Sequence, residues 1–391
     1  MGHTVAVVGD GVNDVSAILA ANIGITMGSG AEAAKKAADM LLLDDNIWSI
    51  VQGVEEGRLV FDNLKKSIAY SLSSSIPEIL PFILSVVLQI PQSLSISLML
   101  IIHFGTDFYP GITFAYENPE NDLMDRLPRH PRRDHLVNAK LITFAFLQIG
   151  VIQAAAGLFT YFCIMNDYGF TPYSLFGLTT EKSYRPLDSD VYSPNHPFKG
   201  NSCADRNHIA KGCQDHHEET FDMLTGSMSS IDVRLFFWKR PVDDWSKCRW
   251  TPNDGMPEFW KHSHVSNSQI CYTSEALFYA QTGYLVSILV VQWANLLVCK
   301  TRYLSLGDQF MENSMMNRAL VLETVLVAFL CYFKWLNAAL GTRMIALPHF
   351  AIPAFSFFAI IVLYDETRKW LVRKGIDGVN FHGWVAQNTY Y

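Results

Sequence analysis

Charged residues are scarce in this chain. Only 17% of its 391 residues are Asp, Glu, Lys or Arg, while 50% are hydrophobic and 13% are aromatic. A typical soluble protein carries more charge, so this composition predicts helices that lie in a membrane. The net charge of -7 is spread thinly and forms no basic face, which argues against a nucleic-acid partner.

A secretory signal is also missing, because the start MGHTVAVVGDGVND has no charged region followed by a long apolar core. Long apolar runs occur instead at six places, each of about 20 residues, which is the length that a helix needs to cross a hydrocarbon core. We therefore expect a mainly α-helical polytopic membrane protein. Its spans are predicted at 67–89, 94–116, 140–165, 274–299, 316–336 and 347–364.

Positive charge predicts how these spans are oriented. Lysine and arginine residues precede the first span, fill the segment 117–139 and follow the fourth and sixth spans. Since basic residues favour the cytoplasmic side, we expect 117–139, the tail 365–391 and both termini to be cytoplasmic. The segment 166–273 is then extracellular, and the spans contact membrane lipid.

This predicted extracellular loop contains four of the seven cysteines. They are Cys203, Cys213, Cys248 and Cys271. In an oxidising compartment they can form two disulfides, with three connectivities possible. Histidines near Cys203 and Cys213 admit metal binding as an alternative, but the paired spacing of a zinc site is absent and disulfides are the simpler explanation.

A motif for phosphate chemistry lies near the amino terminus. The run TVAVV at residues 4–8 predicts a buried parallel strand, and GDGVND follows it directly. Its glycines permit a tight turn, and Asp10 and Asp14 stand four residues apart across that turn. Two carboxylates at the carboxyl end of a strand suit Mg²⁺, which prefers oxygen ligands. An acidic turn that opens a surface helix is the alternative.

The first span carries polar groups that are costly in a membrane. Ser74 and Glu78 share a helix face, since they are four residues apart. Pro77 and Pro81 cannot donate backbone hydrogen bonds, so the carbonyls of Ser73 and Pro77 are left without helix donors. Carbonyls, hydroxyls and a carboxylate together predict an oxygen-rich cage for a dehydrated alkali cation.

The second span repeats the pattern. His103 and Asp107 are again four residues apart, and Pro110 releases the carbonyl of Thr106. Irregular backbone in a membrane is tolerated where it lines a cavity or a protein interior. The alternative is that these polar residues only hold helices together.

The chain resembles the alpha subunits of sodium/potassium and proton/potassium P-type ATPases. The resemblance begins at GDGVND and at AADMLLLDDNIWSIVQGVEEGRLVFDNLKKSIAY, residues 37–70. It resumes at LVNAKLITFAFLQIGVIQA, LVSILVVQWANLLVCKTR and LYDETRK, and it closes on Tyr390 and Tyr391. It covers nearly all of the chain except the predicted extracellular loop.

This resemblance implies a domain plan and a function. Residues 1–66 would be the remnant of an α/β, HAD-like phosphorylation domain with a stalk helix. Residues 67–165 would hold the first three transmembrane helices, and 274–364 the last three. The chain would be the membrane part of an ATP-driven pump that moves sodium, potassium or protons across the plasma membrane, with a possible beta subunit as partner.

The resemblance also implies functional residues. Asp10 and Asp14 would hold Mg²⁺, and Tyr390 and Tyr391 would form a regulatory pair docked between the last spans. The residues matched to the cation pathway are Tyr70, Ser73, Ser74, Ser75, Glu78, His103, Thr106, Asp107, Gln292, Asn295 and Glu323.

Three residues of that pathway differ from the family's pattern. His103 and Asn295 stand where the family has Asp, and Ser75 stands where it has Asn. The loss of two carboxylates predicts weaker or altered cation binding. His103 is titratable near neutral pH, so it could carry a proton or form an ion pair with Asp107 that blocks the site.

Other family motifs do not occur in this sequence. They include the DKTGT aspartyl nucleophile, the TGES loop, the nucleotide-binding domain and the first four spans. We therefore expect this chain alone to be catalytically inactive, with ATP used only by a longer form. The alternatives are a non-catalytic modulator that binds the beta subunit or other pump partners and, less favoured, a passive cation pore.

Overall fold

A computed structural model describes residues 4–376 of the chain with several gaps. The gaps are 121–122, 127–128, 130–134, 177–190, 193–232, 235–261, 267–269, 271–273, 303 and 308–310. The predicted disulfide cysteines Cys203, Cys213, Cys248 and Cys271, and the terminal Tyr390 and Tyr391, lie outside the described residues. The chain divides into two compact units, Met1–Leu64 with Asn118–Asp134, and Lys65–Glu117 with His135–Tyr391.

The first unit contains a small parallel sheet. Strands β1 (Ala6–Val8), β2 (Ile23–Met27) and β3 (Met40–Leu42) lie in the order β1-β2-β3. Helices α1 (Val15–Ala20) and α2 (Glu32–Ala37) form the crossovers that parallel strands require. The predicted α/β element and its first parallel strand are therefore confirmed. The prediction that this strand is buried was wrong, because Ala6 and Val8 are exposed in this small sheet.

Helices make up most of the second unit. In chain order they are α3 (Trp48–Leu88, which begins in the first unit), α4 (Ile96–Ile101), α5 (Phe108–Thr113), α6 (Ala139–Ile142), α7 (Val151–Asp167), α8 (Pro172–Leu175), α9 (Ser274–Lys300), α10 (Ser314–Tyr332), α11 (Lys334–Leu340) and α12 (Leu347–Ile376). Two π-helical segments, Ile102–Asp107 and Thr143–Gly150, join α4 to α5 and α6 to α7. The two-residue strands β4 (Val191–Tyr192) and β5 (Val233–Arg234) pair antiparallel.

Five helices within the described residues are long and apolar enough to cross a membrane. They are Trp48–Leu88, Ala139–Asp167, Glu275–Lys300, Ser314–Tyr332 and Leu347–Lys374. These helices confirm the predicted polytopic membrane class. The predicted span 94–116 is not one of the five. Its helical stretch Ile96–Thr113 carries the polar residues His103, Thr106 and Asp107, which lower its mean hydropathy.

Helix α9 lies at the centre of the helical unit. It is buried along most of its length and packs mainly against α7 and α12. Gly157 of α7 permits close contact with α9, since a Cβ atom there would lie 2.6 Å from ring carbons of Tyr284. This close approach positions the polar side chains of α9 beside those of α3 and α7.

Candidate cation site

The turn after β1 is built around Asp14. One oxygen of its carboxylate, Oδ2, accepts the backbone N–H groups of Asp10 at 3.2 Å and Gly11 at 3.0 Å. Gly9 has no room for a side chain, because a Cβ atom there would lie 2.5 Å from the Cβ of Asp14. Asp14 thus stabilises the turn, while the side chain of Asp10 is exposed.

Two more carboxylates follow β3. The hydroxyl of Ser49 donates to Asp44 at 2.6 Å and lowers the pKa of that carboxyl, and hydrogen bonds from Ser29 lower the pKa of Asp45. Among the described residues, no three acidic, histidine or cysteine side chains are grouped closely enough to hold a metal ion. Asp10 and Asp14 therefore offer two carboxylates, which suits an ion such as Mg²⁺ that retains several waters.

Three buried carboxylates lie near one another among the membrane helices, although they are not grouped closely enough to hold a metal ion by themselves. Glu78 on α3, Asp107 on the π-helical segment and Glu323 on α10 are each at least 94% buried. Asp107 interacts electrostatically with both of the others. We call Glu78, Asp107 and Glu323 the carboxylate cluster. It brings together three of the residues that were predicted to bind a cation.

Most oxygens of this cluster accept no hydrogen bond. Glu78 Oε1, both carboxylate oxygens of Asp107 and Glu323 Oε1 have no donor among the described residues. The hydroxyls of Ser74 and Thr106 lie beside Asp107 and also donate to the carbonyls of Ser71 at 2.9 Å and Ile102 at 2.8 Å. Buried oxygens without donors are costly unless a proton or a cation satisfies them.

Two further predicted residues flank the cluster. The buried hydroxyl of Tyr70 has no hydrogen-bond partner among the described residues and interacts electrostatically with Asp107 and Glu323. Ser75 is half-buried, and its hydroxyl donates to the carbonyl of Ser71 at 3.0 Å. Tyr70 is thus placed to add a neutral oxygen to the cluster, whereas Ser75 is engaged within its own helix.

His103 lies at the edge of the cluster. Its Nδ1 atom is 3.7 Å from Glu78 Oε2, and its side chain is half-exposed. The sequence suggested an ion pair with Asp107, but the acid that the structure places beside His103 is Glu78. The reason is the π-helical segment, which carries both His103 and Asp107 and alters their relative directions. Such segments occur frequently at functional sites.

A second polar group consists of hydroxyl and amide side chains. Ser73 Oγ donates to Asn295 Oδ1 at 3.1 Å, Asn295 Nδ2 donates to Gln292 Oε1 at 3.1 Å, and Gln153 Nε2 donates to the same oxygen at 3.4 Å. We call Ser73, Gln153, Gln292 and Asn295 the amide network. It links α3, α7 and α9, is fully buried and contains no charged group.

Sequence reasoning missed one member of this network, Gln153. The signal was a single amide inside the apolar run of α7, and no pattern of spacing connected it to the other spans. Its partner Gln292 lies more than a hundred residues further along the chain. Only the packing of α7 against α9 brings the two side chains together.

The carbonyl of Pro77 also has a partner that the sequence did not reveal. Pro81 leaves this carbonyl without a helix donor, and the hydroxyl of Tyr284 on α9 donates to it at 2.6 Å. Both residues are buried. This carbonyl, which was expected to belong to an oxygen-rich cage, is therefore already hydrogen-bonded.

Buried ion pairs secure the ends of two helices. Lys300 at the end of α9 is 3.5 Å from Glu117, and Lys369 on α12 pairs with Asp365 and donates to Thr301 at 2.8 Å. Each lysine is almost wholly buried, so each needs its partner. None of these charged residues belongs to the carboxylate cluster. The pairs hold the ends of α9 and α12 in place and add no ligand to the cluster.

Two families of known proteins match this chain. The profile described as "Cation transporting ATPase, C-terminus" matches residues 91–371, and the profile described as "haloacid dehalogenase-like hydrolase" matches residues 2–53. The first covers most of the helical unit, and the second covers the small parallel sheet. Both agree with the resemblance that the sequence motifs indicated.

The chain is also similar to several curated proteins along its whole length. It is 41% identical to the sodium/potassium-transporting ATPase subunit alpha-B of Artemia franciscana and 41% identical to the sodium/potassium-transporting ATPase subunit alpha of Drosophila melanogaster. It is 39% identical to subunit alpha-4 of Rattus norvegicus. Each alignment covers 100% of this chain but only 30% or 31% of the relative, so the chain spans about a third of the length of these relatives.

Proposed function

The chain belongs to the family of cation-transporting ATPases, and on that premise we propose that it is the membrane part of an ATP-driven alkali-cation pump. The observation that supports this proposal is the carboxylate cluster. It gathers three buried acids whose oxygens mostly lack donors. A dehydrated sodium or potassium ion supplies the positive charge that such a group needs. A proton is the other ion that can neutralise it.

The cluster accounts for only part of the predicted cation pathway. Tyr70, Ser74, Thr106 and His103 lie beside it, and we assign them to the same ion site. Gln292 and Asn295 belong to the amide network, where each is already hydrogen-bonded. Their proposed part is to hold α9 against α3, close to the ion site.

The amino-terminal motif supports the energy-coupling part of the proposal. Asp10 and Asp14 would hold Mg²⁺, which supplies positive charge beside a transferring phosphoryl group when bound. Asp14 is fixed by its bonds to the turn, and Asp10 is exposed at the end of β1. The aspartyl nucleophile is absent from this sequence, so we assign ATP hydrolysis to a polypeptide that also carries it.

The proposal extends to location and partners. The five long apolar helices show an integral membrane protein, and we propose the plasma membrane with both termini in the cytoplasm. We also propose a beta subunit as partner, on the family resemblance alone. The segment 166–273, where that contact is expected, lies mostly outside the described residues.

A direct test is equilibrium binding of radioactive sodium and rubidium to the purified chain in lipid nanodiscs. We expect saturable binding that choline does not displace and that Asp107→Asn abolishes. Asp62→Asn is the matched control, because it removes a carboxylate from α3 outside the cluster. No saturable binding by the unaltered chain, or equal losses in both variants, would contradict an ion site at the cluster.

A blot of native membranes tests the coupling to ATP. An antibody to the tail sequence NFHGWVAQNTYY reports the size of the polypeptide that carries this chain. A band far above 44.1 kDa supports a pump with its catalytic part in the same polypeptide. A single band near that mass removes ATP-driven transport by this product and leaves the modulator in its place.

A further inference from the structure

We propose that Tyr284 sets the ion selectivity of the carboxylate cluster by withdrawing the main-chain carbonyl oxygen of Pro77 from it. This inference rests on the proposed function, because it concerns the same ion site. Tyr284 belongs to α9, and its hydroxyl donates to the Pro77 carbonyl at 2.6 Å. The next residue along α3 is Glu78, a member of the cluster.

The backbone of α3 explains why this carbonyl needs a donor. A helix carbonyl normally accepts from the N–H four residues later, and that position is Pro81, which has no N–H. A buried carbonyl without a donor is costly, so it must accept a side-chain hydrogen bond or contact a cation. Tyr284 provides the first of these two solutions.

The position of the Tyr284 ring is fixed by its neighbours. The ring lies against Gly157 of α7, where a Cβ atom would come within 2.6 Å of its carbons, and the whole residue is buried. Its hydroxyl also interacts electrostatically with the carboxylate of Glu78. The hydroxyl is therefore bonded to the Pro77 carbonyl and lies close enough to Glu78 to interact with it.

The number and strength of the oxygen ligands decide which alkali cation a site prefers. With the Pro77 carbonyl engaged, the site offers the carboxylate oxygens of the cluster and the hydroxyls beside it, and this smaller number of ligands favours the smaller sodium ion. A free carbonyl would add a weaker neutral ligand and favour the larger potassium or rubidium ion. Tyr284 therefore acts as a positioning residue, through the atom that it removes from the site.

Tyr284→Phe tests this role in the full chain in nanodiscs, with radioactive rubidium and sodium as probes. We expect the ratio of rubidium affinity to sodium affinity to rise by about threefold or more, because a carbonyl oxygen returns to the site. The matched control is Tyr161→Phe, since Tyr161 is also buried and donates to a proline carbonyl, that of Pro91, at 3.0 Å. That control should leave the ratio unchanged.

A second variant separates ligand supply from packing. Pro81→Ala restores an N–H that can donate to the Pro77 carbonyl, so Tyr284→Phe in that background should no longer change the ratio. If Tyr284→Phe alone gives no monodisperse protein, Pro81→Ala alone must keep the ratio of the unaltered chain, because the carbonyl still has a donor. A change of about threefold or more in that variant would overturn the inference.

The other outcomes are equally decisive. Equal losses of rubidium and sodium affinity in Tyr284→Phe would assign the hydroxyl to packing and overturn the inference. An unchanged ratio with unchanged affinities would overturn it as well. Absence of binding by the unaltered chain instead rejects the proposed function, and this result is known before any variant is measured.

Discussion

The carboxylate cluster and the amide network lie close together along α3 but use their polar atoms in opposite ways. Glu78 belongs to the cluster and Ser73 to the network, and both are buried. The cluster carries three acids whose oxygens mostly lack donors. The network carries no charge, and its side chains are bonded to one another across α3, α7 and α9.

This difference separates ion binding from helix attachment. A buried cation is favoured by negative charge and by oxygen atoms whose lone pairs are not all used in hydrogen bonds. The cluster meets both conditions. The network has no negative charge, and of its oxygens only Gln153 Oε1 has no hydrogen-bond partner among the described residues. Polar residues within a membrane span are therefore not equivalent candidates, even when a family resemblance assigns them all to one pathway. The following substitutions would break or sharpen the comparison.

The largest effect is expected for Asp107→Asn. Asp107 interacts with both other acids of the cluster, so its replacement removes the central charge of the site. Two unit charges about 4 Å apart interact by about 4 kcal/mol at an effective dielectric constant of 20, so cation affinity should fall on the order of 100-fold or more. Isothermal or radiometric cation titration measures the loss, and a fall of less than tenfold would remove Asp107 from the site.

Asn295→Asp should turn the amide network into a charged group. The new carboxylate is buried without a basic partner in the network, which costs about 1–3 kcal/mol and lowers the temperature of unfolding by several degrees in choline chloride. Sodium chloride should restore that temperature, because a bound ion satisfies the charge. Differential scanning fluorimetry in the two salts measures this. Equal unfolding temperatures in both salts would show that the network forms no ion site even with a charge.

His103→Asp should strengthen the cluster. His103 lies 3.7 Å from Glu78, and an acid in its place adds a fourth carboxylate to the site. We expect cation affinity to increase about tenfold, which corresponds to about 1.4 kcal/mol. His103→Asn is the control, since it removes the imidazole without adding charge. A similar gain in both variants would mean that the imidazole, rather than the missing charge, limits binding.

Gln153→Leu should have the smallest effect. It removes the bond to Gln292 and keeps a side chain of similar size, and hydrogen bonds between membrane helices contribute about 0.6 kcal/mol on average. We expect a slightly lower temperature of unfolding and unchanged cation affinity. A loss of affinity of about tenfold would place the network within the ion site and would remove the distinction between the two groups.

The sequence predicted the local features of this protein well. Apolar length predicted the membrane helices, and the GDGVND motif predicted a strand followed by a tight turn, because both signals depend on neighbouring residues. Spacing of four residues indicated that Ser74 and Glu78 share a face. The interruption at Ile102–Asp107 was predicted only in part, since Pro110 indicates an irregular helix but does not specify a π-helical segment.

The sequence by itself determined the membrane class, the family and the kinds of side chain that the spans contain. Only the tertiary structure decided which of those side chains meet. Gln153 donates a hydrogen bond to Gln292, and Tyr284 donates one to the carbonyl of Pro77. In each pair the two residues are more than a hundred positions apart in the sequence. The physical reason is that a hydrogen bond donated to an oxygen makes it a weaker ligand for a cation, and the donors come from other helices.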